Sequence, residues 1–269
     1  MIKKNFLDNK QSIHWLLKEK YFWPEGQIID FLNNNNLSLL TPAIKKDVNK
    51  IVSGEPVNYV IGFVNFLNCH IDLSLKPLIP RPETEHWLKS VVDNLLPSRN
   101  FSILDLCCGS GCLGIACLKK IPLSQVDFVD ISPQALRQTK INLRLNQISS
   151  DRFQVFQSDL FPSTPVKKYD LILTNPPYID SAKPFKKELK FEPAVALFSS
   201  DHGLRHIKRI IQTFSQFIRP NGYLYLEFGQ NQKELINKFC QTNNLNPHFY
   251  KDQFNRFRYL RLDTHLTRH

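Results

Sequence analysis

Apolar residues recur along this chain with two different periods, and the changes between them divide it into parts. In the first fifty or so residues the period is helical: Ile13, Leu16 and Leu17 share one face, as do Ile28, Ile29 and Leu32. Thr41 followed by Pro42 offers a capping residue and a first-position proline, and Gly54 after Val52 offers a stop. From Tyr59 to Leu75 the chain becomes aromatic and β-branched around a turn at Gly62, which predicts a β-hairpin. A helical pattern then returns and runs to Leu96, with Trp87, Leu88, Val91, Val92 and Leu95 on its apolar face.

Beyond this point strand and helix alternate. Strands are predicted at Phe101–Leu106, Val126–Val129, Phe153–Phe156, Tyr169–Thr174 and Tyr223–Phe228, and an antiparallel pair between His248 and Leu262 closes the chain. Helices are predicted from Cys112 to Lys119, after the cap Ser132-Pro133, over Leu204–Ile218 and over Gln230–Cys240. The result is an α/β fold, a doubly wound Rossmann-like sheet of seven strands, with its ligand site at the C-terminal ends of the parallel strands. We therefore expect a small helical domain over 1–54, a β-hairpin linker over 55–80 and the main domain over 81–269.

Composition adds bounds. A chain of 269 residues with 42% hydrophobic residues can bury a real core. No apolar window approaches the ~18 residues of a membrane span. Lys3 and Lys4 have no apolar stretch behind them, so no secretory signal and a cytoplasmic location are expected. The six cysteines show no paired C-x-x-C spacing, and we expect neither metal ligands nor disulfides from them. The formal net charge of +11 could serve an acidic partner, but the charges are spread along the chain, and its richness in Lys, Asn, Ile and Phe supplies a compositional cause.

Two segments carry chemistry. Asp105-Leu106-Cys107-Cys108-Gly109-Ser110-Gly111 lies where a strand becomes a helix, and its glycines allow close backbone approach to a ligand at a helix N-terminus. We read the G-x-G-x-x-G pattern of a dinucleotide-binding loop as absent here, with Cys107 in the position of its first glycine. Asp130 ends the next strand, where an acid can accept two ribose hydroxyls. Ser158-Asp159-Leu160-Phe161 closes the strand after it, beside the place of an adenine. Together these fit an adenosyl ligand.

The second segment is Asn175-Pro176-Pro177-Tyr178, directly after a buried strand. Two prolines end the ladder, and proline holds the residue before it extended. Asn175 is thereby set rigidly at a crevice, with its amide and nearby carbonyls suited to a planar group bearing an NH2. Glu83 and Glu85 resemble paired catalytic carboxylates, but beside a helix start they serve the helix dipole.

With both segments in view, the chain resembles the class I S-adenosylmethionine-dependent methyltransferases, and within them the HemK/PrmC family, which methylates a glutamine side chain of peptide chain release factors. The resemblance runs from about Gly54 to Leu262. It rests on Gly54-Glu55-Pro56, on Leu78-Ile79-Pro80-Arg81-Pro82-Glu83-Thr84-Glu85, on Asp105 to Gly111 and on Asn175 to Tyr178. Phe191-Glu192-Pro193 and Leu226-Glu227-Phe228-Gly229 extend it. It implies S-adenosylmethionine as cofactor, with Cys107, Cys108, Gly109, Ser110 and Gly111 around its methionine part, Asp130 on the ribose, and Asp159 and Leu160 near the adenine. It implies that Asn175 touches cofactor and substrate, and that Pro176, Pro177 and Tyr178 line the glutamine pocket. Asn175, Pro176 and Tyr178 would be the catalytic set. The implied partner is a release factor, with no stable nucleic-acid partner, no membrane and a monomeric enzyme. The family's usual aromatic at Leu160 is missing, and Lys190 stands where it commonly has Arg.

Three other readings compete. A glutamine methyltransferase of a ribosomal protein shares the Asn-Pro-Pro-Tyr site but typically differs over Pro82–Glu85. A nucleic-acid amino-group methyltransferase would need a target-recognition domain, for which no insertion here is long enough, or a basic patch with exposed aromatics. A non-catalytic binding factor keeps the fold without turnover.

Overall fold

In a computed structural model the described residues are 8–34, 40–95, 97–162, 167–185 and 187–263. They divide into two compact units, one of Met1–Phe63 with Phe185–Phe191, the other of Val64–Pro184 with Glu192–His269.

The first unit is built on helices α1 (Lys10–Glu19), α2 (Glu25–Asn34) and α3 (Pro42–Val52). Ile13, Leu16 and Leu17 meet Ile28, Phe31, Ile44, Val48 and Ile51 in one apolar cluster. Ile29, expected on that face, is instead half exposed, and Phe31 takes its place in the core. Thr41 caps α3, its hydroxyl accepting from the Ile44 amide at 3.3 Å, and Gly54 follows the helix in the left-handed region at φ 97°. Asp47 is buried at its centre and accepts from Lys20 at 2.7 Å, Tyr21 at 2.9 Å and Lys50 at 3.0 Å.

The predicted hairpin is shorter than its pattern. Val57–Ile61, including Tyr59, forms a helical turn closed by left-handed Gly62, and only β1 (Phe63–Phe66) and β2 (Cys69–Asp72) pair. The helix after it, α4, spans Pro82–Val92. Asn94 and Leu95 leave it through tighter turn bonds to Val91 and Val92, and Leu96 lies outside the described residues.

The second unit holds one sheet of seven strands: β3 (Ser102–Leu106), β4 (Gln125–Asp130), β5 (Phe153–Gln157), β6 (Tyr169–Thr174), β7 (Ile218–Glu227), β8 (His248–Lys251) and β9 (Phe257–Leu262). Their spatial order is β8-β9-β7-β6-β3-β4-β5. β3 to β7 are mutually parallel, and β8 and β9 join antiparallel. Helices α5 (Cys112–Lys120), α6 (Pro133–Leu145), α7 (Arg205–Thr213) and α8 (Lys233–Thr242) connect them. β3 and β6 are buried along their whole length, as continuous apolar runs in a parallel sheet require.

The helix expected over Leu204–Ile218 ends at Thr213, passes through a 3₁₀ turn at Phe214–Gln216, and gives way to strand at Ile218. Sheet pairing decides this: Ile218 is the partner of Tyr169, whose amide donates to the Phe217 carbonyl at 2.8 Å. The helix expected from Gln230 starts at Lys233, because the Gln232 side chain is used by the loop before it.

Candidate active site

Sheet register brings the sequence-predicted residues level. Thr174 stands between Leu106 of β3 and Leu226 of β7, and Leu106 stands beside Val129 of β4. Cys107 and Asn175 follow directly on their strands, and Asp130 and Glu227 are the last residues of theirs, so all four come level at the C-terminal edge of the sheet. This edge contains the crossing point of the strand order, where open α/β sheets bind ligands.

The loop after β3 is shaped by its own bonds and by α6. Gly111 donates to the Cys108 carbonyl at 2.7 Å, closing a tight turn, and Cys108 donates to Val129 at 3.0 Å. Cys107 and Gly109 have positive φ, 59° and 56°, and a Cβ on Gly109 would meet open space. Gly111 is at φ 79°, where a Cβ would lie 2.8 Å from the Thr139 methyl. Thr139 in turn donates to the Gly109 carbonyl at 3.1 Å, and Asn142 to the Ser110 carbonyl at 2.9 Å. These buried polar residues of α6 were not singled out in the sequence. Their i, i+3/i+4 spacing is legible, but a polar stripe on a helix ordinarily faces water. Gln138, Asn142 and Asn146 also hold β2 and the chain after it, receiving the Leu75, Asp72 and His70 amides at 2.8, 2.8 and 3.1 Å. The hairpin is thus fixed to the main unit.

Gly114 corrects the reading of this loop. Gly109, Gly111 and Gly114 do follow the G-x-G-x-x-G spacing. A Cβ on Gly114 would lie 2.4 Å from the Phe128 ring, so the third glycine lets α5 press against β4. Asp105 accepts from the Gly114 amide at 2.9 Å through one oxygen. Its other oxygen is buried without a partner, and burial pushes the carboxyl well above its usual range. An unpartnered buried carboxylate oxygen beside a glycine loop suits the ammonium of an amino-acid moiety.

Asp130 accepts from the Gly109 amide at 2.9 Å and the Ser132 amide at 2.8 Å, one on each oxygen. Burial raises its pKa, and the amides of Ser132, Gly109 and Ile131 pull it back. Each oxygen keeps a lone pair for a hydroxyl donor. Asp159 is placed differently from the sequence expectation: its carboxylate is held by both Arg209 guanidinium nitrogens at 3.1 Å, which lowers its pKa. Leu160 is buried in the apolar cluster with Leu106, Val129 and Phe161, at a positive φ of 65°.

All six cysteines are free thiols, and burial pushes Cys107, Cys108, Cys112 and Cys117 far up, which makes them poor nucleophiles. Among the described residues, no three His, Cys, Asp or Glu side chains gather as a metal site requires. No helix among them is long and apolar enough to cross a membrane.

Pro176 and Pro177 are buried, while Asn175 and Tyr178 are half-buried at the strand exit. Asn175 donates through Nδ2 to the Thr84 hydroxyl at 3.3 Å, and Tyr178 donates to Glu227 at 3.0 Å. Glu227 also accepts from Thr84 at 2.7 Å and from the Trp87 indole at 2.7 Å. It is 1% exposed, and burial pushes its pKa up against these three donors and Arg258. Thr84 and Glu227 lie in the family segments Leu78–Glu85 and Leu226–Gly229, where sequence alone gives neither a task. A carboxylate inside an apolar strand was the available signal.

Two further contacts tie these segments together. Glu192 accepts from the Ile79 amide at 3.0 Å and from the Arg81 guanidinium at 2.5 Å, joining the chain before α4 to the Glu192-Pro193 turn. Glu85, read as a dipole partner, accepts from the Leu67 amide at 2.7 Å and holds the hairpin turn.

The Tyr178 backbone is held by Gln232, the residue directly before α8. Gln232 donates to the Tyr178 and His202 carbonyls at 2.9 and 3.0 Å and accepts from the Gly229 amide at 2.8 Å. Gly203, at φ 82°, makes room: a Cβ there would lie 2.1 Å from the Tyr178 carbonyl oxygen. Gly203→Ala is therefore expected to cost about 1–3 kcal/mol in urea unfolding and to lower methyl transfer by displacing Tyr178. A variant matching wild type in both measurements would remove this constraint.

A glycine-bearing strand-to-helix loop, a half-buried acid at the end of the next strand and a rigid Asn-Pro-Pro-Tyr exit come together at one edge of the sheet, an arrangement that suits an S-adenosylmethionine-dependent methyltransferase. The methyltransferase small domain family matches residues 88–192. A methyltransferase from Pyrococcus furiosus has a similar structure, with a TM-score of 0.57 at 11% identity over 81% of this chain and 98% of that one. A release factor glutamine methyltransferase of Aliivibrio fischeri is 32% identical over 222 residues, 81% of this chain and 74% of its own length. A ribosomal protein uL3 glutamine methyltransferase of Francisella tularensis is 34% identical over 192 residues, 68% of this chain and 59% of that protein. The chain belongs to the release factor glutamine methyltransferase family, and is a protein-glutamine methyltransferase that uses S-adenosylmethionine.

Proposed function

We propose that the methyl acceptor is the side-chain amide nitrogen of the glutamine in the Gly-Gly-Gln motif of a peptide chain release factor. The observation that carries this reading is the Glu192 bridge. It joins Ile79 and Arg81, at the start of the Ile79–Glu85 stretch that is the narrowest mark of the resemblance, to Glu192 of the family's Phe-Glu-Pro segment, and so anchors the Pro82–Glu85 stretch in which the ribosomal-protein enzymes typically differ. The names of several relatives agree with it. The uL3 enzyme of Francisella supports the rival acceptor, a ribosomal protein glutamine.

S-adenosylmethionine supplies an electrophilic sulfonium methyl when bound. Cys107–Gly111 would hold its methionine part, with the free Asp105 oxygen toward the ammonium, and Asp130 its ribose. Asp159 would contribute near the adenine through its backbone, since its carboxylate is engaged by Arg209. An amide nitrogen is a poor nucleophile, and deprotonating it near neutral pH is impractical. Positioning does the work instead. The Asn175 side-chain oxygen and the Pro176 carbonyl each accept one N–H of the substrate amide, fixing its plane and enriching its nitrogen. Both dipoles stabilise the positive charge that develops on that nitrogen. Tyr178 covers the flat face of the amide, and Pro176 and Pro177 wall the pocket. The proton leaves to water after methyl transfer.

The test combines purified protein, labelled methyl donor and, separately, release factor, ribosomal protein uL3 and total RNA, with the label located by mass spectrometry. Label on the Gly-Gly-Gln glutamine supports the proposal; label confined to uL3 or RNA overturns it. Within the same assay, Asp130→Ala is expected to raise the KM for the methyl donor at least tenfold, about one charge-assisted hydrogen bond, with little change in the KM for the protein. Equal changes in both would contradict the ribose role.

A further inference from the structure

We propose that Glu227 and Thr84 are positioning residues that fix which end of the Asn175 amide faces the substrate, and so make the pocket select an amide over a carboxylate. The proposal rests on the glutamine reading above and deepens it. It follows from counting hydrogens in a closed network.

The Trp87 indole can only donate, and it points at Glu227 Oε2 at 2.7 Å. The Thr84 hydroxyl approaches the same oxygen at 2.7 Å, and the Tyr178 hydroxyl approaches Oε1 at 3.0 Å. A carboxylate receiving three donors acts as acceptor throughout, so the single Thr84 hydrogen is spent on Glu227. Only lone pairs remain on Thr84 Oγ1 toward Asn175, 3.3 Å away. The nitrogen of the Asn175 amide must therefore face Thr84, and Oδ1 must face the other way. Oxygen and nitrogen of an asparagine amide have almost the same shape, so only such a network sets their order. Both Thr84 and Glu227 are almost fully buried, so water does not compete for these bonds.

Chemical selection follows from this order. With Oδ1 outward, the pocket offers acceptors to a substrate NH2 and repels a glutamate carboxylate. With the amide reversed, it would offer N–H to that carboxylate and lose its grip on the glutamine. The same Glu227 sets Tyr178, so one buried carboxylate holds two members of the Asn-Pro-Pro-Tyr exit in register.

The experiment measures kcat with the release factor, together with inhibition by a release factor variant carrying Glu in place of the target Gln. It uses wild type, Thr84→Val, Thr84→Ala, Thr84→Ser and Glu227→Gln. Methyl-donor binding by calorimetry confirms that each variant is folded, and Thr84→Ala serves if Thr84→Val is not. Removing the hydroxyl is expected to lower kcat about tenfold, the worth of a buried hydrogen bond, and to tighten binding of the Glu-bearing factor about tenfold. Thr84→Ser is expected to restore both. Glu227→Gln is expected to keep the discrimination, because Trp87 forces the remaining oxygen to the Thr84 side. Unchanged discrimination in Thr84→Val or Thr84→Ala, or failure of Ser to rescue, overturns the relay while leaving the glutamine reading intact. A wild-type enzyme that leaves the release factor unmethylated overturns both.

Discussion

Asn175→Ala is expected to lower kcat by a hundred- to a thousandfold, roughly 3–4 kcal/mol of barrier, the measured scale for removing one preorganised polar group at a reacting centre. The loss should be that large because the proposed mechanism assigns no general base to share the task. The amide nitrogen becomes reactive only when its N–H bonds are held by acceptors and its plane is turned to the methyl group. Alanine removes one of the two acceptors, and the Pro176 carbonyl alone leaves the amide free to rotate. Binding of the methyl donor should weaken less than tenfold, since Cys107–Gly111 and Asp130 are held by α6, by the β4 strand end and by one another rather than by Asn175. The split is checked by single-turnover transfer to the release factor alongside calorimetry of the methyl donor. Near-normal turnover would sink the mechanism, and a donor affinity lost in parallel would recast Asn175 as mainly a cofactor ligand.

Much of this site was legible from residue types and their order. Asn175-Pro176-Pro177-Tyr178 declares a strand end because two prolines cannot continue a ladder, and the strand before it is buried throughout. Gly109, Gly111 and Asp130 lie at successive strand ends of an alternating α/β chain, and such ends converge once the sheet is parallel. These signals are local, and each depends on a backbone property that few residue types supply.

The residues that sequence reading missed act across long separations. Thr84 and Glu227 are 143 positions apart, and Glu192 lies 113 from Ile79. Nothing local marks which buried carboxylate meets which hydroxyl, because the packing of α4 against the end of β7 makes the pairing. Asn142 and Thr139 were hidden for another reason: a polar helix stripe has the same pattern whether it faces water or buried backbone. The opposite error befell Ile29, where the helical period was sound but the face was off by part of a turn. Helix boundaries failed where the sheet overrode local propensity, as at Ile218.

Glu192→Ala is expected to destabilise the second unit by about 1–3 kcal/mol, the cost of leaving the buried Ile79 amide without its acceptor, because the Arg81 side chain is partly exposed and can turn to water. Glu192 is 7% exposed and satisfies two donors at once, the Ile79 amide and the Arg81 guanidinium. Glu192→Gln separates this from a simple loss of volume. Its amide has one oxygen and one NH2, so either orientation sets an N–H against a donor, at Ile79 or at Arg81. The glutamine variant keeps the Ile79 bond only by turning its NH2 to Arg81, so it should fall between alanine and wild type despite its matched shape. The damage should also reach turnover, because Arg81 directly precedes α4, and Thr84 and Trp87 on the first turns of that helix are two of the three donors to Glu227. Urea unfolding of the three proteins, read with kcat on the release factor at a temperature where all are folded, checks both parts. An alanine variant within about 1 kcal/mol of wild type, the level of an exposed ion pair, would mean that the Ile79–Arg81 stretch is held by its prolines and packing rather than by Glu192.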